Sequence, residues 1–583
     1  MSNSVRTSGL SRRAFIGGAL ATSAALVLAG CGNDSNDADP AAKDAATDAD
    51  DAAEKEDEAA ADGEAKAGGT LRYYITNPVA IEPFGAEENQ GVEVMFNLFD
   101  PLCNFDWEKG EVVGLTAESW DVNDAADEFT FHIRKEATFH NGDPVTSKDF
   151  KYAWERICNA NFKPAPSSIG YKLAQVSGAD EMMNGTADEL DIECPDDQTL
   201  VVHLKAPFAD FASICCERGT APVPAGCTDT AEDFQSFRVA PIGNGPFMMD
   251  GKWEDGQYIN LKAYPDYWGE KPLLDGIAFQ IMRDDQTAWT EFQAGNLDFL
   301  IVPSGHFTEA MDTYGVAEED GYLANPEHQY LGGQETSIYY LLCNNNDEVI
   351  GNRDLRIAIS YAIDRQAICD TVLQGTRSPA SNMLAAGVPG SVDGAWEYAS
   401  NPNKDVDKAN EYFEKAGYPA DKDGKRNLTL TFQTNTGSSN EDIMQMVMAD
   451  LESCGVTCKL ELQEWAAYVD CVQSGDYQIG RLGWTIQVPY ADGVLQPLFY
   501  TGSGDNNSFY SNTSFDKAID DARQVVDDDE RMKAYQDANA IVAEDFPVIP
   551  MFYYNHTYVT SNHVNNFYYS PSGYITMTKC WLS

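Results

Sequence analysis

The chain holds 583 residues, and its 93 acidic against 39 basic residues give a formal net charge of -54. That length exceeds one compact core and points to two or three domains, while 43% hydrophobic and 11% aromatic content is that of a folded protein. So acidic a surface repels phosphate backbones and excludes a nucleic-acid partner; it reads as an adaptation for solubility, with a preference for cationic ligands as the sharper alternative.

The first thirty residues read as an export signal. A basic start carrying Ser11-Arg12-Arg13-Ala14-Phe15 precedes an apolar run from Ile16 to Ala29, which is short for a membrane span and flanked as a signal is. The arginine pair followed by Phe15 resembles a twin-arginine signal, and the general export route stays open beside it. Leu28-Ala29-Gly30-Cys31 resembles a lipobox, which implies cleavage before Cys31, lipid on its thiol and an extracytoplasmic protein anchored to the cell membrane through that lipid alone. The following segment, taken as 31–67, is an acidic, disordered tether: between 32 and 67 thirteen acidic residues face only Lys43, Lys55 and Lys66, with no apolar surface to bury.

From Gly68 onward strands and helices mix. Phe129, Phe131 and Ile133 alternate as in a half-buried strand, and Asn141-Gly142-Asp143-Pro144 marks a turn. Thr146-Ser147-Lys148-Asp149 reads as a capping box opening a helix with Phe150, Ala153, Trp154 and Ile157 on one face. Leu355, Ala358, Ile359, Ala362 and Ile363 make a second helical stripe. A β-α-β unit follows: Leu428, Leu430 and Phe432 alternate, Ile443, Met446, Val447 and Leu451 take helical spacing, Gly455 ends the helix, and a strand runs through Val456, Cys458, Leu460 and Leu462.

Twelve cysteines remain besides Cys31, an even number that permits disulfides in an exported protein or a set of buried thiols. Cys454 and Cys458 are spaced to pair across a turn, and Cys215, Cys216 and Cys227 form a local group. A zinc site is the alternative, but no CxxC pair or histidine-containing ligand spacing accompanies them. Catalytic signatures are equally absent: there is no HExxH, GxSxG, Walker loop or dinucleotide fingerprint. The seven histidines, His132, His140, His203, His306, His328, His556 and His563, include no pair at chelating spacing. His140, beside the Asn-Gly turn, is the one candidate base or ligand, against a packing role.

Four stretches then carry a resemblance. They are Phe129 to Ile157 (FTFHIRKEATFHNGDPVTSKDFKYAWERI), Pro241 to Leu300 (with PIGNGPF, NLKAYPDYWGEKPLLDGIAF and FQAGNLDF), Asn345 to Ile368 (with RDLRIAISYAIDRQAI), and Gln463 to Asp516 (with QEWAAYVDCVQSGDYQIGRLGW, followed by YSNTSFDKAI). Together, in this order, they resemble the extracellular solute-binding proteins of ABC transporters of the peptide/nickel family, family 5, and within it the oligopeptide binders. The resemblance covers the chain from about Gly68 to its end.

What it implies is an α/β fold: a two-lobed, periplasmic-binding-protein-like clamp (type II, cluster C-like) with an additional small domain. Lobe I would comprise 68–103, 240–338 and 555–583; the small domain, 104–239, would pack on it; lobe II would comprise 339–554. Ligand closes such a hinged cleft, no bond is made or broken, and no cofactor is implied. The implied partners are a small peptide and the permease and ATPase subunits of an importer, with the chain itself a monomer.

In the oligopeptide binders the ligand lies extended and pairs its backbone with the protein. Carried onto this sequence, one contact loop falls at Glu87, Glu88 and Asn89. The other falls at Arg481 to Gln487, with Trp484 as a flat wall, Gly483 and Thr485 offering backbone groups, and Arg481 facing a peptide carboxylate. Core packing for Trp484 and an internal ion pair for Arg481 are the alternatives. At Gln487 the family places an aspartate that neutralises the ligand's ammonium, and a neutral amide supplies no such charge. Either Asp492, Glu87 or Glu88 replaces it, or the ligand is a blocked peptide or no peptide. A metal chelate, a sugar, or a peptide signal sensed without transport remain open on the same fold; an enzyme is the least favoured class.

Overall fold

The computed structural model describes residues 65–85, 88–436 and 439–583. The signal at 1–30, Cys31, most of the tether and Glu87 lie outside the described residues. No described helix is long and apolar enough to cross a membrane.

Two large sheets organise the fold. The first runs in the order Tyr330–Leu331, Tyr558–Thr560, Phe299–Ile301, Thr70–Ile75, Gly276–Ile281, Tyr258–Ala263 and Phe247–Met249. Its central strand lies parallel to Gly276–Ile281, from Thr70 opposite Gly276 to Ile75 opposite Ile281. The second runs in the order Arg377–Pro379, Ile549–Asn555, Gln334–Cys343, Ile479–Trp484, Thr429–Asn435 and Thr457–Gln463. There Ile338 through Cys343 are all buried, because a central strand covered on both faces admits an unbroken apolar run instead of alternation.

A smaller antiparallel sheet takes the order Ala117–Val122, Glu128–Ile133, Thr199–His203 and Ile192–Asp196. Phe129, Phe131 and Ile133 alternate inward as their spacing predicts. The adjoining helix Ser147–Cys158 begins at the expected capping box, where the Thr146 backbone N–H and hydroxyl both donate to Asp149 (2.8 and 2.7 Å). Its buried face carries Phe150, Ala153, Trp154 and Ile157, and the Trp154 indole N–H donates to the Thr220 carbonyl at 2.8 Å.

The β-α-β unit is present. Thr429–Asn435 and Thr457–Gln463 run parallel, with Leu430 opposite Cys458 and Phe432 opposite Leu460, joined by the helix Asn440–Ser453. Gly455 follows at φ 85°, and a Cβ there would lie 1.9 Å from the Gly424 carbonyl oxygen, so only glycine fits. Leu462 departs from the inward pattern: it is exposed, because Thr457–Gln463 is the edge of its sheet and covered on one side only.

Two large cores make the molecule two-lobed, with a smaller third around Trp289 and Phe292 packed on the first sheet. One joins the first sheet to the smaller sheet; the other, drawn from Ile338 to Tyr553, surrounds the second. The chain passes between them at Leu331 to Gln334 and returns at Asn555 to Tyr558, and Gln334 stands opposite Asn555. The two crossings therefore lie side by side, as a hinge requires. A buried ion pair, Asp210 with Arg531 at 2.8 Å, also bridges the smaller sheet's layer to the second lobe.

All twelve described cysteines are unpaired thiols. The pairing that sequence spacing allows between Cys454 and Cys458 is not made: the first ends a helix against the core while the second sits on the edge strand. Burial pushes the Cys458 thiol up to about 12, so it is an inert small hydrophobe at neutral pH.

Candidate functional site

Strand direction locates the cleft. Thr70–Ile75, Gly276–Ile281 and Phe299–Ile301 end toward the crossing at Tyr558, and Thr429–Asn435 and Ile479–Trp484 end toward the crossing at Gln334. The carboxyl ends of both sheets thus meet at the hinge, where open α/β sheets take their ligands.

On the second lobe the expected contact segment is the strand Ile479–Trp484 and the residues after it. One side of this strand is laddered to Gln334–Cys343 from Cys343 opposite Ile479 to Ile338 opposite Trp484, whereas the other side meets Thr429–Asn435 only at Phe432 opposite Ile479. Beyond that point its outer edge has no strand partner among the described residues. The Arg481 N–H and C=O on this edge are both held by the Tyr468 hydroxyl (2.6 and 2.7 Å). Since outward groups recur every second residue, the next are those of Gly483 and Thr485, both exposed. Gly483 leaves room that a side chain would close, since a Cβ would stand 3.0 Å from the Tyr554 hydroxyl.

Arg481 is half-buried, with its guanidinium over the Tyr339 and Trp465 rings (5.6 and 5.5 Å to the centroids). One terminal nitrogen donates to the Asn435 side-chain oxygen, while Nε is buried with no hydrogen-bond partner. Among the described residues no carboxylate reaches it, so the internal ion pair considered for it is not made. Arg377 lies on the same sheet, 3.8 Å over the Tyr554 ring. Trp484 is half-buried, and its indole N–H donates to the Gly493 carbonyl at 2.9 Å, which fixes the ring while leaving part of it open. Gln487 is half-buried, and the segment is tied to the hinge by the Thr336 hydroxyl donating to the Ile486 carbonyl.

Two of the three replacements considered for the missing acid are committed elsewhere. Asp492 is buried in a bidentate pair with Arg523 (2.8 and 2.7 Å), because it opens the helix Asp492–Phe499 toward the core instead of the cleft. Glu88 caps the helix Asn89–Leu98, accepting from the backbone N–H of Val79, Gln90 and Gly91 at 2.9–3.0 Å. Burial pushes its carboxyl upward while those N–H groups pull it down. Asn89 accepts from the Tyr574 hydroxyl at 2.8 Å.

Sequence reasoning missed Glu93 on this same helix. It is half-buried between the fully buried Val92 and Val94, and burial pushes its carboxyl up to about 8. An acid inside the apolar run Val92 to Phe96 was the available signal. At the hinge, Glu335 pairs with His556 at 3.2 Å; burial alone would raise its carboxyl, and His556 reverses this to hold it below the usual range.

His140 takes the packing role. Its Nε2 meets the Gly245 carbonyl at 3.0 Å and its Nδ1 accepts from the Gly243 N–H at 3.2 Å, and burial lowers its pKa to about 4. That fixes a neutral imidazole between two backbone groups.

Known proteins agree with this architecture. The chain is 27% identical over 509 residues to the oligopeptide-binding protein OppA of Bacillus subtilis, spanning 86% of this chain and 90% of that one. A murein tripeptide-binding protein, MppA, solved in an unliganded open form, superposes with a TM-score of 0.75 at 22% identity, over 90% of this chain and 99% of its own. The Haemophilus influenzae OppA complex with the peptide RPPGFSPFR gives 0.64 at 24% identity, over 89% and 100%. Residues 111–506 match the bacterial extracellular solute-binding proteins, family 5 Middle; the chain belongs to that family.

Proposed function

We propose that the protein captures short peptides in the cleft between its lobes, outside the cytoplasm, and presents them unaltered to the permease and ATPase subunits of an ABC importer. The observation that carries this reading is the strand edge at Gly483 and Thr485, open among the described residues, beside an arginine with no described carboxylate partner. A peptide can add to such an edge by backbone hydrogen bonds and set its carboxylate on Arg481, with Trp484 as an apolar wall. Glu88 and Asn89 then border the ligand from the first lobe, with Glu87 beside them, and Gln487 lies at the far end of the binding segment. The lobes divide as 68–103, 240–338 and 555–583 for the first, 104–239 for the small domain and 339–554 for the second, a division supported by the separate cores. The protein acts as a monomer tethered through lipid on Cys31.

Isothermal calorimetry of the full chain against a random pool of tri- to pentapeptides tests this. Saturable heat is expected; a flat titration at millimolar peptide overturns the reading.

A further inference from the structure

We propose that Arg377 and Tyr554 form a second anion seat in the cleft, one that takes the carboxylate of an acidic side chain on a peptide lying along Gly483; this deepens the peptide reading and rests on it.

Backbone register fixes where the two residues stand. Arg377 lies opposite Tyr554 on the neighbouring strand, and the Asn555 N–H donates to the Thr376 carbonyl at 3.1 Å, so the pair sits beside the returning hinge crossing. The Arg377 guanidinium lies 3.8 Å over the Tyr554 ring. That ring reaches across the intervening strand Gln334–Cys343, and its hydroxyl stands 3.0 Å from the point where a Cβ on Gly483 would be. Gly483 is exposed and carries no side chain, which leaves the hydroxyl uncovered at the edge where the peptide is proposed to add.

Residues two apart in a strand share a face, so Arg481 projects to the same side of the sheet as this glycine's missing side chain. Its guanidinium takes a different place, over the Tyr339 and Trp465 rings. Trp465 follows the strand Thr457–Gln463, at the opposite edge of the sheet from Arg377–Pro379. The two arginines therefore flank Gly483 as separate seats.

Arg377 is half-buried. One terminal nitrogen donates to the Thr376 carbonyl at 2.6 Å, and among the described residues no carboxylate pairs with it. Glu335, whose charge acts on Arg377, is itself paired with His556 at 3.2 Å. A guanidinium drawn partly out of water without its own counter-charge is costly, and this chain has 93 acidic residues from which one could have come. A carboxylate arriving over Gly483 supplies that charge. The Tyr554 hydroxyl and an Arg377 N–H both donate to it, in charge-assisted bonds stronger than those a neutral amide accepts. The net charge of -54 repels anions in general, so a preference for acid at one ligand position is the mark of a local seat.

The test uses the full chain and four pairs of tetrapeptide mixtures, titrated by calorimetry at pH 7. Each pair carries Glu or Gln at one position and random uncharged residues at the other three. At one position the wild type should bind the Glu mixture about tenfold more tightly than its Gln counterpart, the range for a charged hydrogen-bonded contact. Arg377→Gln should bring that ratio within about threefold by weakening the Glu mixture. Arg377→Lys, which keeps a positive charge on the strand, should hold the ratio above the Arg377→Gln value. No position preferring Glu in the wild type, or the same preference surviving in Arg377→Gln, overturns the proposal while leaving peptide capture intact. Absence of heat with every mixture overturns peptide capture, and this proposal with it.

Discussion

Arg481 and Asp492 are close in sequence and opposite in environment, and the difference decides their roles. Among the described residues Arg481 keeps an unpartnered Nε and no carboxylate, which on the proposed reading leaves its charge for a ligand. Replacing it in Arg481→Met should weaken free-acid peptides about tenfold or more, the range for a charged hydrogen-bonded contact, and leave C-terminally amidated peptides unchanged in calorimetry. Asp492 is locked to Arg523 with the Tyr535 hydroxyl alongside. Asp492→Asn should lower the unfolding free energy by about 3 kcal/mol in denaturant melts by leaving a buried guanidinium uncompensated, without altering affinity in the folded fraction. His140 supplies a pH signature. Its folded pKa of about 4 lies below the ordinary 6.5, so the unfolded chain binds the extra proton as pH falls. Stability present above pH 6.5 should therefore decline down to about pH 4, by at most about 3 kcal/mol. Thermal melts of His140→Gln should lack that component.

At the level of elements, the strand Ile479–Trp484 is the part whose geometry matters most. It is anchored along one side and, among the described residues, free along the other after Phe432 opposite Ile479, so on the proposed reading peptide binding and stability depend on different edges. Gly483→Pro removes an N–H on the free edge, where proline is tolerated. It should cost about tenfold in peptide affinity by calorimetry while moving the unfolding midpoint little. A large loss of stability with unchanged affinity would show that this edge is laddered internally.

How much of this was legible in the sequence follows from how far apart the cooperating residues lie. The capping box at Thr146 and Asp149, the stripe from Phe150 to Ile157 and the β-α-β unit are local patterns, and they stand as read. Arg481 and Trp484 could be singled out because they sit in one recognisable stretch. Glu93 could not, since the burial that raises its carboxyl is a property of the folded chain. The commitments of Asp492 to Arg523 and of Glu88 to the backbone are likewise properties of the folded chain. The cysteine count allowed disulfides, but whether thiols meet depends on where each strand and helix points, and here they remain apart.

For the molecule as a whole, two cores joined by two adjacent crossings make a body whose halves can turn about Gln334 and Asn555. Ligand can favour the closed arrangement only through contacts made on both walls at once. Arg481 with the Gly483 edge on one side, and the Glu88–Asn89 turn on the other, would supply such contacts on the proposed reading. Native mass spectrometry of the full chain after incubation with the peptide pool tests this account most directly. It predicts one-to-one complexes that, on dissociation in the gas phase, release intact peptides of the added masses. A spectrum with no bound peptide, or with peptides shortened or otherwise changed in mass, would contradict it.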